Sequence, residues 1–422
     1  MATISFKTLA LSACALAVAA PAFAGGLERG GYNIDLLFDP SDYVLEGTAT
    51  FVMPQRDVYG TVDNPVKSGG SLPAAWRTTA DDSENYWSPR IGAKAAIGDM
   101  ADCMFDYSEP WGAHLKPGQW QGASYNMETD VKSQNYATTC RVKFDFGKGD
   151  LSIIGGGFYQ EISGIKHRQV LSPTLLGPAY PSLLSGVGIL DMEGNGWGWR
   201  AGLAYEIPEI AFRASLVYNS AVDHDLSGTV DLTGVPAIPG TPLATIGGRV
   251  IPVYGQVSMP DTVELKMQTG IAPGWLAFGS VKWTDWSQIQ VVPFCAVGTP
   301  VCRPNFAINT LDLFYQDGWT VSGGVGHKFN DQWSGAVSLT WDRGTSTVIG
   351  TQTDSWVLGS QVVYSPNKNV ELKLAGALGI LTSGSSGWGA TCDTGKTCGD
   401  EATYKFGNDL VAAISTGIKV KF

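Results

Sequence analysis

After its first two dozen residues the sequence has no uninterrupted apolar run of about 18 residues, which excludes helical membrane spans. It is also short of charge, with only 16% of residues being Asp, Glu, Lys or Arg. That pairing, little charge and no apolar run, is unusual for a soluble protein of this length. Although 422 residues would allow two soluble domains, no linker, charge run or composition break divides the chain. The histidines (His114, His167, His224, His327) are scattered, and neither close cysteine spacing matches a zinc pattern. No metal and no cofactor are therefore expected. Nucleophile elbows, zincin helices and phosphate-binding glycine loops are missing too. The lone Ser-x-x-Lys spacing, Ser163 to Lys166, lacks its companion motifs, and Asp81, Asp82 and Glu84 read as a solvated loop. No enzymatic activity is expected. The net charge of −11 argues against nucleic acid as a partner.

What is present starts with "MATISFKTLALSACALAVAAPAFA", which has a basic start at Lys7, an apolar run from Leu9 to Ala20 and the small-x-small ending Ala22-Phe23-Ala24. That is a secretory signal peptide, residues 1–24, too short to span a membrane. Of the seven cysteines, Cys14 lies inside it. The other six, an even number in an exported chain, form three sequence-near pairs expected as disulfides: Cys103–Cys140, Cys295–Cys302 and Cys392–Cys398.

The mature chain alternates. At its end, "AISTGIKVKF", residues Ile414, Thr416, Ile418, Val420 and Phe422 share one parity, and Ser415, Gly417, Lys419 and Lys421 share the other. Successive side chains of a strand point to opposite faces, so this strand has one apolar and one small or cationic face. A soluble sheet would leave such a last strand as a sticky edge, whereas a closed barrel pairs it with the first. The same alternation runs through "GWRAGLAYEI", "TVSGGVGHKF", "WSGAVSLTWD", "WVLGSQVVY" and "VELKLAGALGIL", with short turns at 207–210, 329–333 and 365–369. Trp199, Trp319, Trp333, Trp341, Trp356 and Tyr364 stand at segment ends, where an amphipathic ring prefers the lipid–water boundary. The connections on the opposite side are long, as at 166–195 and 222–260.

These features predict an all-β fold, a transmembrane antiparallel barrel over residues 43–422, placed in the outer membrane of a Gram-negative bacterium. Thirteen strands can be delimited, starting near Tyr43, Ser88, Asn135, Asp150, Gly196, Ala211, Thr262, Trp275, Trp319, Trp333, Ser355, Val370 and Phe406. Bacterial barrels normally have an even number, so one more is expected within 106–131 or 306–316, making fourteen. Residues 25–42, "GGLERGGYNIDLLFDPSD", do not alternate; Leu36, Leu37 and Phe38 disfavour a free tail in water and favour a plug folded into the lumen.

The series "GWRAGLAYEIPEIAFRASLVYNSAVDHDLSGTV", "MPDTVELKMQTGIAPGWLAFGSVKWTDWSQIQVV" and the run from "DGWTVSGGVGHKF" to the Phe-ended last strand resembles the FadL family of outer-membrane long-chain fatty acid transporters. The similarity covers most of 196–422 and, more loosely, "ERGGYNI…FDPSDYVLEG" and "EPWGAHL". It implies a fourteen-stranded barrel and an N-terminal hatch, in which Glu28, Arg29, Asn33, Phe38, Asp39 and Pro40 would take part. Passive uptake of fatty acids or similar hydrophobic molecules would proceed from an extracellular apolar pocket, through a displaced hatch or a wall opening at a strand kink. Where better-known members carry Asn-Pro-Ala in the hatch, this chain has Phe38-Asp39-Pro40. The expected partners are the hydrophobic ligand, outer-membrane lipid and lipopolysaccharide, and the barrel-assembly machinery through Phe422, the protein acting as a monomer.

The loop "VLSPTLLGPAYPSLLSGVGIL" supplies Leu171, Leu175, Leu176, Tyr180, Leu183, Leu184, Val187 and Leu190, too many apolar groups for a plain water-facing loop. With "GVPAIPGTPLATIGGRVIPVYG" it either folds over the barrel mouth to line a capture site, or the two loops merely pack on one another. Lys166, Arg168 or Arg249 would meet a carboxylate. Two other readings remain open: a structural or adhesive barrel with disulfide-clipped loops, and an open general porin.

Overall fold

The structure is a computed structural model that describes residues 25–176, 184–387, 390–391, 397–398 and 401–422. The signal peptide, Tyr180, Leu183 and Cys392, and with it the expected bridge to Cys398, lie outside the described residues.

Fourteen antiparallel strands close on themselves. They are β1 (Tyr43–Pro54), β2 (Tyr86–Ile97), β3 (Ala101–Ser108), β4 (Glu128–Phe146), β5 (Gly149–Gln169), β6 (Val187–Ile207) and β7 (Phe212–Asn219). The second half is β8 (Thr262–Ala272), β9 (Trp275–Thr284), β10 (Gly318–Lys328), β11 (Trp333–Asp342), β12 (Ser355–Asn367), β13 (Val370–Leu381) and β14 (Asp409–Lys421). The last strand pairs with the first from Val44↔Lys421 to Pro54↔Val411, which removes the edge that its apolar face would otherwise expose. On β14, Ile414, Ile418 and Phe422 are exposed outward, while Ser415, Lys419 and Lys421 are buried in the lumen. No helix among the described residues is long and apolar enough to cross a membrane.

Two aromatic belts mark the boundaries of the lipid-facing band. Near the chain-terminal end stand Tyr43, Phe146, Trp275, Trp333 and Phe422; near the other stand Trp87, Tyr136, Trp197, Trp199, Trp319 and Trp356, all exposed. Trp333 stacks on Tyr364 across β11 and β12 with centroids 4.6 Å apart, and Trp341 meets Trp356 at 6.3 Å at the opposite ends of the same strands.

Three expectations need correction. The fourteenth strand is β3, only eight residues long, so it starts before the 106–131 window; Glu109-Pro110 interrupts it before a short continuation, Gly112–Leu115. The long connections 166–195 and 222–260 are in large part strand: β5 and β6 pair as far as Gln169↔Val187, and beyond β7 the hairpin Val222–Asp231 with Val250–Met259 continues the wall upward. The final spanning strand begins at Asp409, because Ala402–Phe406 belongs to a separate four-stranded sheet above the barrel.

Two disulfides are formed among the described residues. Cys103–Cys140 joins directly opposed residues of β3 and β4, and Cys295–Cys302 clips the extracellular excursion that follows β9.

Candidate functional site: an apolar chamber beside a broken wall

Toward the upper ends of the strands, apolar inward-facing side chains converge. One of them is Ile162 near the top of β5, which is buried. With Leu190 and Met192 of β6, Leu226, Met259, Phe294 and Leu27 of the leader, Ile162 bounds a narrow apolar chamber of about 80 Å³. Lys166 is the one ionisable group in its lining. Lys166 Nζ lies 5.4 Å above the Tyr125 ring, so its stem runs along apolar surface while its charge stays near an aromatic face.

The residues expected at the capture site divide. Leu190 and Lys166 line the chamber. Leu171 and Leu176 are buried in the same apolar cluster, with Leu184 packed against it, but they cap the chamber without lining it. Val235 of the second loop and Leu232 just before it join that cluster as well, so the two loops pack together and roof the mouth. Leu175 is 58% exposed and Val187 is half-buried. Arg168 is half-buried beyond the chamber lining, and Arg249 is an exposed residue whose carbonyl accepts the Leu232 N–H at 2.8 Å. The residues that the sequence reading missed (Leu27, Ile162, Met192, Leu226, Met259, Phe294) sit on strand extensions or the leader. The signal available for those on the strands was an apolar residue at an inward-facing parity position beyond the aromatic belt.

The leader lies against lumen-facing side chains. Its apolar turn, Asp35–Phe38, buries Leu36, Leu37 and Phe38 on Val44, Met104, Ile154, Ala204 and Val217, all from different strands. Phe38 is sandwiched by two guanidiniums, Arg213 at 4.5 Å and Arg141 at 4.8 Å from its ring centre. Asp35 Oδ2 accepts from Lys266 at 3.0 Å, and Arg213 stands 3.6 Å from Oδ1. Burial alone would raise the Asp35 carboxyl, but Lys266 and Arg213, helped by Arg90, outweigh it and bring it down to about 2. Asp39 and Lys419 are a fully buried pair at 3.0 Å, with Lys421 at 3.9 Å; Lys94 donates to the Asp39 carbonyl at 2.7 Å. The Asp39 side chain also accepts the Ser41 N–H at 3.0 Å, so Asp39-Pro40-Ser41 makes a tight turn of its own. The Asn33 side chain likewise accepts the Asp35 N–H, at 2.7 Å. Glu28 pairs with Lys282.

Beside the chamber the wall is incomplete. The ladder between β2 and β3 stops at Arg90↔Ser108, and the next bond across that seam runs from Glu84 N–H to the His114 carbonyl at 3.1 Å. Between them, 85–89 and 109–113 face each other without a backbone bond among the described residues. The broken stretch takes its partner from the leader: Arg29 N–H donates to the Pro110 carbonyl at 2.8 Å, and Gly112 N–H to the Leu27 carbonyl at 2.7 Å. Trp111, fully buried, packs on Tyr32 at 5.6 Å and Trp286 at 5.3 Å. The chamber therefore touches the leader at Leu27, one residue from where the leader covers the break.

A family model described as outer membrane protein transport protein (OMPP1/FadL/TodX) matches residues 42–345. A long-chain fatty acid transport protein of Salmonella typhi is 23% identical over 372 residues, covering 82% of this chain and 83% of that protein. Its counterpart in Escherichia coli (strain K12) is 23% identical over 386 residues, with the same coverage, 82% and 83%. Among solved structures, a Pseudomonas aeruginosa FadL homologue superposes with a TM-score of 0.72 at 14% identity, covering 92% of each chain. The Pseudomonas putida toluene transporter TodX gives a TM-score of 0.57 at 13% identity, covering 98% of each. With that family match spanning most of the barrel, the chain belongs to the OMPP1/FadL/TodX family of outer-membrane transport proteins.

Proposed function

We propose that this transporter takes up long-chain fatty acids or similarly apolar molecules passively, with residues 25–42 acting as a hatch. The observation that carries the reading is the apolar chamber ending at Leu27, beside a stretch of wall to which the leader is bonded where β2 and β3 fail to pair. A chamber this narrow suits a single-file alkyl chain or one aromatic ring, and each methylene it buries contributes about 0.8 kcal/mol. Relatives named for long-chain fatty acids and for toluene support both ligand types. Lys166, in the lining, is the cation that a carboxylate head meets first. The route inward then leads along the leader to the gap between 85–89 and 109–113, since the lower leader is tied to several strands by buried ion pairs.

No catalytic step is part of this reading, and no trio of metal-ligating side chains occurs among the described residues. An open porin is disfavoured by the same ion pairs. The protein is taken as a monomer, and Phe422, 67% exposed beside the closing seam, as the residue presented to the assembly machinery. The test is uptake of radiolabelled oleate and toluene by cells with and without the protein, alongside Leu190→Asp with Leu226→Asp. Uptake that depends on the protein and falls about tenfold or more in the double variant is expected. Uptake independent of the protein would sink the proposal.

A further inference from the structure

Arg29 occupies the gap in the wall. Its guanidinium lies 4.3 Å from the centre of the Tyr86 ring on one lip. On the other lip, a Cβ placed on Gly112 would stand only 2.7 Å from Arg29 Nε. The side chain thus reaches between the two strands that fail to pair. It is 5% exposed, yet among the described residues neither Nε nor Nη2 has a hydrogen-bond partner. Burial is the main influence on this group and works against its charge; Tyr86, Asp130 and Glu109 act the other way. Neither carboxylate forms an ion pair with Arg29: Glu109 accepts the Tyr107 hydroxyl at 3.0 Å, and Asp130 Oδ2 is paired with Lys132 at 2.6 Å while its Oδ1 is buried without a hydrogen-bond partner among the described residues.

An unpaired buried guanidinium is costly and is kept only where something compensates it. Nε–H and the adjacent Nη2–H point the same way and form the edge that grips a carboxylate with two parallel bonds. That edge is the free one here. Leu27, two residues earlier, lines the apolar chamber, and Arg29 lines the polar lumen on the other side of the leader strand. A ligand leaving the chamber along the leader meets Arg29 before it reaches the outside of the barrel.

We propose that Arg29 is the head-group residue of the exit, holding the carboxylate of an amphipathic ligand at the wall gap through Nε and Nη2. Arg29 thereby selects long-chain acids over neutral molecules of equal length. This rests on the proposed route through the wall, so the experiment separates the two. Cells producing wild type, Arg29→Gln or Arg29→Lys are given labelled oleate or oleyl alcohol, which has the same chain and no charge. Arg29→Gln is expected to lower oleate uptake about tenfold, with partial rescue in Arg29→Lys and unchanged alcohol uptake. Equal loss of both compounds would mean that Arg29 only seats the leader, and no loss of either would mean that it binds nothing. Both outcomes overturn the proposal. Wild-type cells that take up neither compound would overturn the transport reading and this proposal with it. A second readout needs no transport: carboxyl-labelled oleate bound to detergent-solubilised protein should titrate at lower pH with wild type than with Arg29→Gln. Identical titrations would also overturn it.

Discussion

The two halves of the leader are held in different ways. Residues 33–40 are tied to the barrel by charge. Asp35 meets β7 and β8 through Arg213 and Lys266, and Asp39 meets β14 through Lys419 and Lys421 and β2 through Lys94. Among the described residues, 25–32 have one ion pair, Glu28 with Lys282, and their other hydrogen bonds have a backbone group or a neutral side chain on the leader side. Two backbone bonds reach the broken strand, Gly26 N–H donates to Thr345 Oγ1 at 2.9 Å, Arg90 donates to the Gly30 and Gly31 carbonyls at 3.2 and 2.7 Å, Gln160 donates to the Tyr32 hydroxyl at 3.1 Å, and aromatic rings pack around Trp111. Buried ion pairs have one good geometry and resist sliding, whereas a short backbone ladder opens by unzipping. The lower half is therefore the fixed anchor, and the upper half is the part suited to move when ligand arrives. On the proposed reading, a hatch anchored at the floor and loose at the side would direct traffic sideways.

Cutting the anchor should have the largest effect. Asp39→Asn takes from Lys419, itself fully buried, its closest carboxylate, and the next, Glu46, stands at 3.4 Å. Breaking a buried pair in this way costs about 3–5 kcal/mol. Single-channel recording in planar bilayers should show steady or flickering currents for the variant against a near-silent wild type. A silent variant would show that Asp35 and the packing of Leu36–Phe38 hold the floor without Asp39, which would then drop out of the anchor.

The upper half answers to a milder cut. Lys282→Met removes the partner of Glu28, but the side chain of Lys282 is 16% exposed to the lumen and its loss admits water, so the cost falls to about 2–3 kcal/mol. The expected outcome is faster backbone hydrogen exchange over residues 27–31 with no rise in bilayer current, since the anchor still holds. Current equal to that of Asp39→Asn would show that the two halves move as one.

How much of this was legible in the sequence depended on the range of the interactions. Strand parity is local, so β10 to β14 and the lumen face Ser415–Lys421 could be read from alternation and aromatic ends. Strand β3 could not: eight residues ending at Glu109-Pro110 look like a loop, and what completes the wall there is a segment some eighty residues earlier. The chamber was half legible. Apolar loops at 170–190 signalled a greasy mouth, and Leu190 lines it, but Leu171 and Leu176 turn out to be its roof. Which apolar residue faces a cavity and which plugs a neighbour depends on how hairpins lean together above the membrane, and no spacing encodes that. Asp39 and Lys419 are 380 positions apart, so their pairing was invisible until the barrel closed.

Acid offers the finest probe of the anchor. With its folded value at about 2 against a usual 3.8, the Asp35 carboxyl contributes about 2 kcal/mol at neutral pH. A depressed carboxyl stabilises above its unfolded value and loses that contribution as pH falls toward the folded one. The anchor should therefore hold down to about pH 4 and loosen between there and pH 2, while the upper half, whose exchange is limited by backbone bonds, changes less. Pepsin is active across that window and favours leucine and phenylalanine, so cleavage within Leu36-Leu37-Phe38 reports the release. In wild type, cutting should begin only below pH 4; in Asp35→Asn it should occur throughout the range. If both proteins are cut with the same pH profile, Asp35 is not part of the anchor, and the lower half depends on Asp39 and apolar packing.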